Sequence, residues 1–296
     1  GRSIILVLVT ASSNPFYSSM LQSIDFNARE RGIQIVSAST YHNPEIEEQL
    51  LRGAILDRYL GVLYLYPPDN PEAYEEARQR IPIVALCNRV RRIQGNVIRI
   101  DNFEAGAMAA RHLLSLGHRR LAVLADSALA ETTGSTTRLA GIYSEVEKIM
   151  PREELLVLYG PYDTRRLIRE HNWHYMNGYN LASHPQIKQQ GITGIICTND
   201  LVAYGAMTRL TELGYRVPED FSLIGSDNSF YSRMPQISLT TIDLHMDLIA
   251  ISAFNILCAR AALFRSNQES SDATVMHVRV SVDLIERGST RAIPAN

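Results

Sequence analysis

Short apolar runs alternate with longer amphipathic stretches along the chain, and the alternation predicts its elements. Ile4, Ile5, Leu6, Val7, Leu8 and Val9 form a continuous apolar run, the pattern of a strand buried on both faces in a parallel sheet. Asn14-Pro15 then opens a helix expected to reach Arg31, with Gly32 suited to the left-handed position beyond its end. A strand over residues 33–36, a helix from Asn43-Pro44 to Asp57, a strand over 62–65, a helix over 71–80 and a strand over 83–86 continue the series. Parallel neighbours need a crossover, and helices of this length supply it.

A second series starts after the strand at residues 97–101. Asn102 is expected to cap a long helix to Leu116; strands then fall at 121–124, 155–158, 195–197 and 221–224, and helices at 136–149, 175–183 and 200–213. The order repeats without any repeat of sequence. The prediction is an α/β fold of two Rossmann-like lobes, each a parallel sheet flanked by helices. A helix over 247–264 is expected to return to the first lobe. The lobes are then 1–101 with 244–272, and 102–243 with 273–296, joined by crossovers near 101–102, 242–244 and 272–275. Periodicity fails only over the polar, Arg-rich residues 162–171, which read as a loop insertion.

Length agrees with two lobes, because one core stops growing somewhere near ~250–300 residues and this chain has 296. Lys+Arg 29 against Asp+Glu 31 gives a net charge of −2, so the chain as it stands offers no basic field for a phosphate backbone. Cys87, Cys197 and Cys258 are an odd set in apolar segments with no C-x-x-C spacing, which points to a reducing compartment. No apolar stretch is expected to approach the length of a membrane span, and the first apolar run lacks a cleavage site. The expectation is a cytoplasmic protein with no membrane partner.

Ligands of open parallel sheets bind beyond the carboxyl ends of the strands, so the residues there carry the candidate chemistry. They are Thr10, Ser12, Ser13, Asn14, Phe16 and Tyr17 after the first strand and Asn88 after the fourth. In the second series they are Asp126 and Arg138, then Asn199 and Asp200, then Ser226, Asp227 and Asn228. Amides, carboxylates, a guanidinium and aromatic rings suit a polyhydroxylated ligand, since each hydroxyl donates and accepts and each ring covers a C–H patch. Taken singly, Asn14, Asn199 and Asp200 read as helix caps and turn residues, and it is their collective position that points to a ligand. The phosphate-binding glycine motifs, the nucleophile elbow and the H-E-x-x-H zinc motif are all missing, so no enzyme, metal or cofactor is expected. His171 and His174 lack a third ligand, and His118 is expected to bond a helix end.

Several segments carry a family likeness. Asn14-Pro15-Phe16-Tyr17, Asp101-Asn102 with Gly106, the turn from Leu116 to Arg120, Arg138-Leu139-Ala140-Gly141, Thr198-Asn199-Asp200, Val217-Pro218-Glu219-Asp220, Gly225-Ser226-Asp227-Asn228 and Leu239-Thr240-Thr241-Ile242 resemble the effector domain of LacI/GalR transcription regulators in order and spacing. The resemblance implies a periplasmic-binding-protein type I architecture, a homodimer, and a small-molecule effector that closes a cleft between the lobes. It implies a ligand set of Asn14, Phe16, Asn88, Arg138, Trp173, Asn199 and Asp227, with Arg138 and Asp227 gripping vicinal hydroxyls and Trp173 as a stacking platform. A sugar or sugar derivative is the expected effector, with a nucleoside second. Asn88 stands where an acidic residue is common, and Leu244-His245 where some sugar-responsive members carry an amide. In the family a helix-turn-helix headpiece precedes the first strand, so operator DNA would be reached only through a headpiece absent from this chain. A solute-binding protein of a sugar transporter has the same architecture and is the alternative.

Overall fold

Each apolar run becomes a strand and each amphipathic stretch a helix. The computed structural model describes residues 3–86, 93–125, 134–161, 172–266 and 275–294. In chain order the first elements are β1 (Ile4–Val9), α1 (Pro15–Glu30), β2 (Gln34–Ser39), α2 (Pro44–Leu56), β3 (Gly61–Tyr64), α3 (Pro71–Arg78), β4 (Ile83–Leu86) and β5 (Asn96–Ile100). There follow α4 (Asn102–Ser115), β6 (Leu121–Ala125), α5 (Gly134–Val146), β7 (Leu156–Tyr159), α6 (Trp173–Leu181), α7 (Pro185–Gln189), β8 (Gly194–Cys197) and α8 (Asp200–Glu212). β9 (Ser222–Ser226), β10 (Thr240–Asp243), α9 (Met246–Arg265), β11 (His277–Val280) and β12 (Asp283–Ile285) complete the chain.

Two compact units result, Gly1–Ile100 with His245–Val280, and Asp101–Leu244 with Ser281–Asn296. The first holds a sheet of order β11-β5-β4-β3-β1-β2, parallel throughout. In the second the order is β12-β10-β9-β8-β6-β7, parallel except for β12, which runs antiparallel to β10. The last passage between units falls at Val280–Ser281, later than the expected 272–275, because residues 277–280 pair with β5 before the chain leaves. Hydrophobic patterning alone did not expose this short edge strand.

Local chemistry sets the helix starts. Asn14, Asn43 and Asn70 cap α1, α2 and α3, each followed by proline, whose missing N–H costs nothing at a first helical position. The expected cap of α4 is corrected: Asp101 accepts from Glu104 N at 3.2 Å, and Asn102 is the buried first helical residue. The short α7, with Pro185 at its start, was not expected. The expectation that no apolar stretch reaches the length of a membrane span is corrected: α9 is the one helix among the described residues long and apolar enough by length and composition. Its apolarity has another use here. Ile249, Ala253, Phe254 and Leu257 are buried where α9 packs on α1 and on β3, β4 and β5, and Ser23 of α1 and Arg31 at its C-cap bond Asp247 and Asn255.

Two helix pairs in the second unit cross with backbones in contact. A Cβ on Gly106 of α4 would lie 1.8 Å from Arg138 O, and one on Gly141 of α5 would lie 1.9 Å from Phe103 O. α6 and α8 repeat the device, with Gly178 at 1.9 Å from Val202 O and Gly205 at 1.9 Å from Tyr175 O. Glycine at both sides of each crossing is what permits the approach.

Candidate functional site

The polar residues that follow the strands of the second unit form a connected network. β8 ends at Cys197, and Asn199 then caps α8 by accepting from Val202 N at 2.9 Å. Asp200, 2% exposed, turns inward. Its Oδ2 accepts from Ser229 N at 2.7 Å and Ser229 Oγ at 2.9 Å, while Oδ1 accepts from Thr241 Oγ1 at 2.6 Å. One carboxylate thus ties the turn after β8 to the turn after β9 and to β10. Burial pushes this carboxyl up to about 6, against the lowering effect of Thr241, Ser229 and the Arg287 guanidinium. Gly225 leaves the space it needs, because a Cβ there would meet Asp200 Oδ1 at 2.4 Å.

Asp227 and Asn228 stand on that support. Both have left-handed backbones, φ 123° and 52°, a costly state for residues with side chains and one that functional turns often hold. Asp227 N donates to Ile242 O at 2.9 Å. Asn228 donates from Nδ2 to Asp243 Oδ2 at 2.8 Å and accepts at Oδ1 from Arg287 Nη2 at 2.6 Å. Arg287 also donates to Leu239 O at 2.7 Å, so a guanidinium from the C-terminal segment fixes the turn after β9. Burial holds it below the usual arginine range.

Arg138 reaches the same edge from α5. Its Nε donates to Asn102 Oδ1 at 2.7 Å, and Nη1 donates to Thr198 O at the end of β8. The bare backbone at Gly106 lets Arg138 come this close to α4. Among the expected ligand residues, Arg138, Asn199 and Asp227 therefore all belong to the carboxyl edge of this unit's sheet. Trp173 is the first residue of α6 and is 7% exposed, so its ring faces protein. Asp126 and the expected insertion at 162–171 lie outside the described residues.

In the first unit Asn14 Oδ1 accepts from Phe16 N at 3.0 Å, and the Phe16 ring meets Tyr17 edge-on at 5.1 Å. Asn88 lies outside the described residues, as does Cys87. A second buried carboxylate was not anticipated. Glu47 of α2, 0% exposed, accepts from the hydroxyls of Tyr64 and Tyr66 at 3.2 and 2.9 Å and from the backbone N–H groups of Asp69 and Asn70 at 3.1 Å each. It fastens the turn after β3, whose Asp69 Oδ2 lies 2.9 Å from His42 Nδ1 in the turn after β2. Burial pushes the Glu47 carboxyl above the usual glutamate range despite these donors. Tyr41 and His42 are both left-handed, φ 52° and 56°. In sequence Glu47 looks like any surface glutamate of a helix's first turn, and only Tyr64 of β3 and Tyr66 just after it, alternating with apolar neighbours, hint at a polar partner.

His118 has a structural place different from the expected one. Its ring bonds Thr193 Oγ1 at 2.9 Å and Arg291 O at 3.1 Å, joining the lead into β8 to the C-terminal segment, not to a helix end. Burial lowers it below the ordinary histidine range. Among the described residues no group of His, Cys, Asp and Glu has the arrangement of a metal site.

Against known proteins, the profile of the periplasmic binding protein-like domain matches residues 110–290. The HTH-type transcriptional repressor PurR of Escherichia coli O1:K1 is 29% identical over 288 residues, covering 96% of this chain and 78% of that protein. Among solved structures, a LacI family transcriptional regulator from Enterococcus faecium with bound ribose superposes with a TM-score of 0.81 at 22% identity, over 98% of this chain and all of the other. A periplasmic binding protein/LacI transcriptional regulator from Alkaliphilus metalliredigens, complexed with D-xylulofuranose, gives 0.77 at 24% identity, over 98% and 99% of the two chains. At these identities the structural likeness speaks for the fold.

Proposed function

We propose that this chain, which belongs to the periplasmic binding protein-like domain family in the form carried by LacI/GalR regulators, senses a small polyhydroxylated effector of the sugar class. Ligand occupancy sets the DNA binding of the regulator, and the chain has no catalytic task. For this to work the effector must favour one conformation over another, since equal affinity for both shifts nothing. The observation that carries the reading is the carboxyl edge of the second sheet. There a guanidinium, Arg138, and a carboxylate, Asp227, follow β6 and β9, the two strands that flank β8; Arg138 bonds Thr198 O, and Asp227 lies in the turn that Asp200 fastens through Ser229. Such a pair suits vicinal hydroxyls, and bonds within the unit hold the Arg138 guanidinium and the backbone at Asp227. The ligand set also takes in Asn14, Phe16, Asn88, Trp173 and Asn199. Relatives named as regulators, one of them with ribose bound, favour a cytoplasmic regulator over a transport protein.

Calorimetry and thermal shift against monosaccharides, disaccharides, sugar acids and nucleosides test this. A hydroxylated ligand is expected to bind the wild type, and Arg138→Ala to weaken it by one to two orders of magnitude, the equivalent of about 1.5–3 kcal/mol for a charged hydrogen bond. A panel in which only nucleosides bind, or an Arg138→Ala protein with unchanged affinity, overturns the sugar assignment.

The functional form is a homodimer, as two heads reading a two-fold operator require. Phe26 on α1 is 65% exposed, and Phe230, three residues beyond Asp227, is 69% exposed, so each unit carries an aromatic side chain in solvent that pairing would cover. Sedimentation at micromolar concentration is expected to show a dimer, and a lone monomer species removes the proposal.

A further inference from the structure

Among the described residues five helices end in one and the same reverse turn, and one of them breaks the pattern. After α1, α4, α7 and α8 the left-handed residue is glycine: Gly32, Gly117, Gly191 and Gly214, with φ of 66°, 91°, 60° and 85°. After α2 it is Arg58, with φ 54°. The hydrogen bonds are those of the other four ends: Arg58 N donates to Ile55 O at 3.1 Å and Tyr59 N to Ala54 O at 2.9 Å. An L-residue is strained in this conformation and glycine is not, so the side chain at position 58 is kept against a local cost.

That side chain lines a cavity of about 220 Å³ in the first unit, together with Arg80 and Arg265, over a floor that includes Tyr59, Ile81 and Phe264. The cavity sits at the amino edge of the sheet, where Leu60 N bonds Ile4 O and Val62 N bonds Pro82 O. It is therefore at the other end of the strands from Asn14 and Glu47. The three guanidinium groups come from three separate elements, and no carboxylate lines the space. Arg80 has Glu76 at 3.9 Å, while neither Arg58 nor Arg265 has an acidic partner among the described residues. Helix ends attract arginines, and α2 and α9 both end here. An arginine in the last turn of α2 would meet that need without a left-handed backbone, so the dipole leaves the choice at position 58 unexplained.

We propose that this cavity is an anion site, separate from the sugar-class edge, that takes a small organic anion: a phosphate or carboxylate on an aromatic or apolar body. Planar guanidinium groups match the oxygens of either head, and the Tyr59 and Phe264 side of the floor accepts the body. The volume is below that of a drug-sized pocket and limits the ligand to a single ring or its equivalent.

Calorimetry with phenyl phosphate, inorganic phosphate and phenol on the wild type, Arg58→Gly and Arg265→Ala tests the site. Phenyl phosphate is expected to bind the wild type more tightly than either fragment, and at least tenfold more weakly to each variant. Arg58→Gly is also expected to keep or raise the denaturation midpoint, because glycine fits the turn; any lost binding is then not lost folding. Three outcomes overturn the proposal: no phenyl phosphate binding to the wild type at millimolar concentration, equal affinity in Arg58→Gly, or inorganic phosphate binding as tightly as phenyl phosphate.

Discussion

Gly205→Ala is expected to destabilise the protein by about 3 kcal/mol, although alanine is the better helix former. The added Cβ would sit 1.9 Å from Tyr175 O and 2.8 Å from Tyr179 N, and both are backbone atoms that no rotamer change can move. α6 and α8 must part, and overpacking of this kind costs about 1–3 kcal/mol or more before any helix propensity is regained. Gly53→Ala is the internal contrast. It lies inside α2 with nothing within 4 Å of the added atom, so only the propensity gain of about 1 kcal/mol remains. Urea unfolding of the two variants should therefore move in opposite directions. A Gly205→Ala protein as stable as the wild type would show that the helices are not in backbone contact.

Removal of the Asp200 carboxylate is the second large expectation. Asp200→Ala strands the Ser229 N–H, which has no freedom to seek another acceptor, and leaves two hydroxyls to reorient. A loss of about 3 kcal/mol is expected, since a buried unpaired donor costs about 1–3 kcal/mol and three groups are affected. The pH dependence has a definite sign. Burial raises the native carboxyl to about 6, so between pH 4 and 6 the native state holds a proton at this site that the unfolded chain has released. Stability then falls as pH rises through that window, and this share of the slope is absent in Asp200→Asn. Subtracting the two stability–pH curves isolates it. Identical slopes in wild type and Asp200→Asn would mean that the site does not titrate there. Because Asp200 anchors the turn that carries Asp227, effector binding should weaken in Asp200→Ala even where the protein remains folded.

Much of this protein is decided by order along the chain. Buried parallel strands need unbroken apolar runs, crossovers need helices, and helix starts need caps, all of which are set within a few neighbouring residues; hence β1 to β9 and the asparagine caps at 14, 43 and 199 were legible in sequence. So was the concentration of polar residues beyond the strands. What joins them was not. Asp200 finds Ser229 and Thr241 at separations of 29 and 41 residues, Asn228 finds Arg287 at 59, and Arg138 finds Thr198 at 60. A buried polar atom must be satisfied by whatever the fold brings to it, and a sequence pattern records the need without the partner. The same limit hid Glu47, whose donors come from β3 and the loop after it, and β11, too short to show a period and held by pairing with β5. Arg58 marks the boundary between the two kinds of information. Four other helix ends carry glycine at the matching position, and the cavity shared with Arg80 and Arg265 is the reason proposed for the arginine.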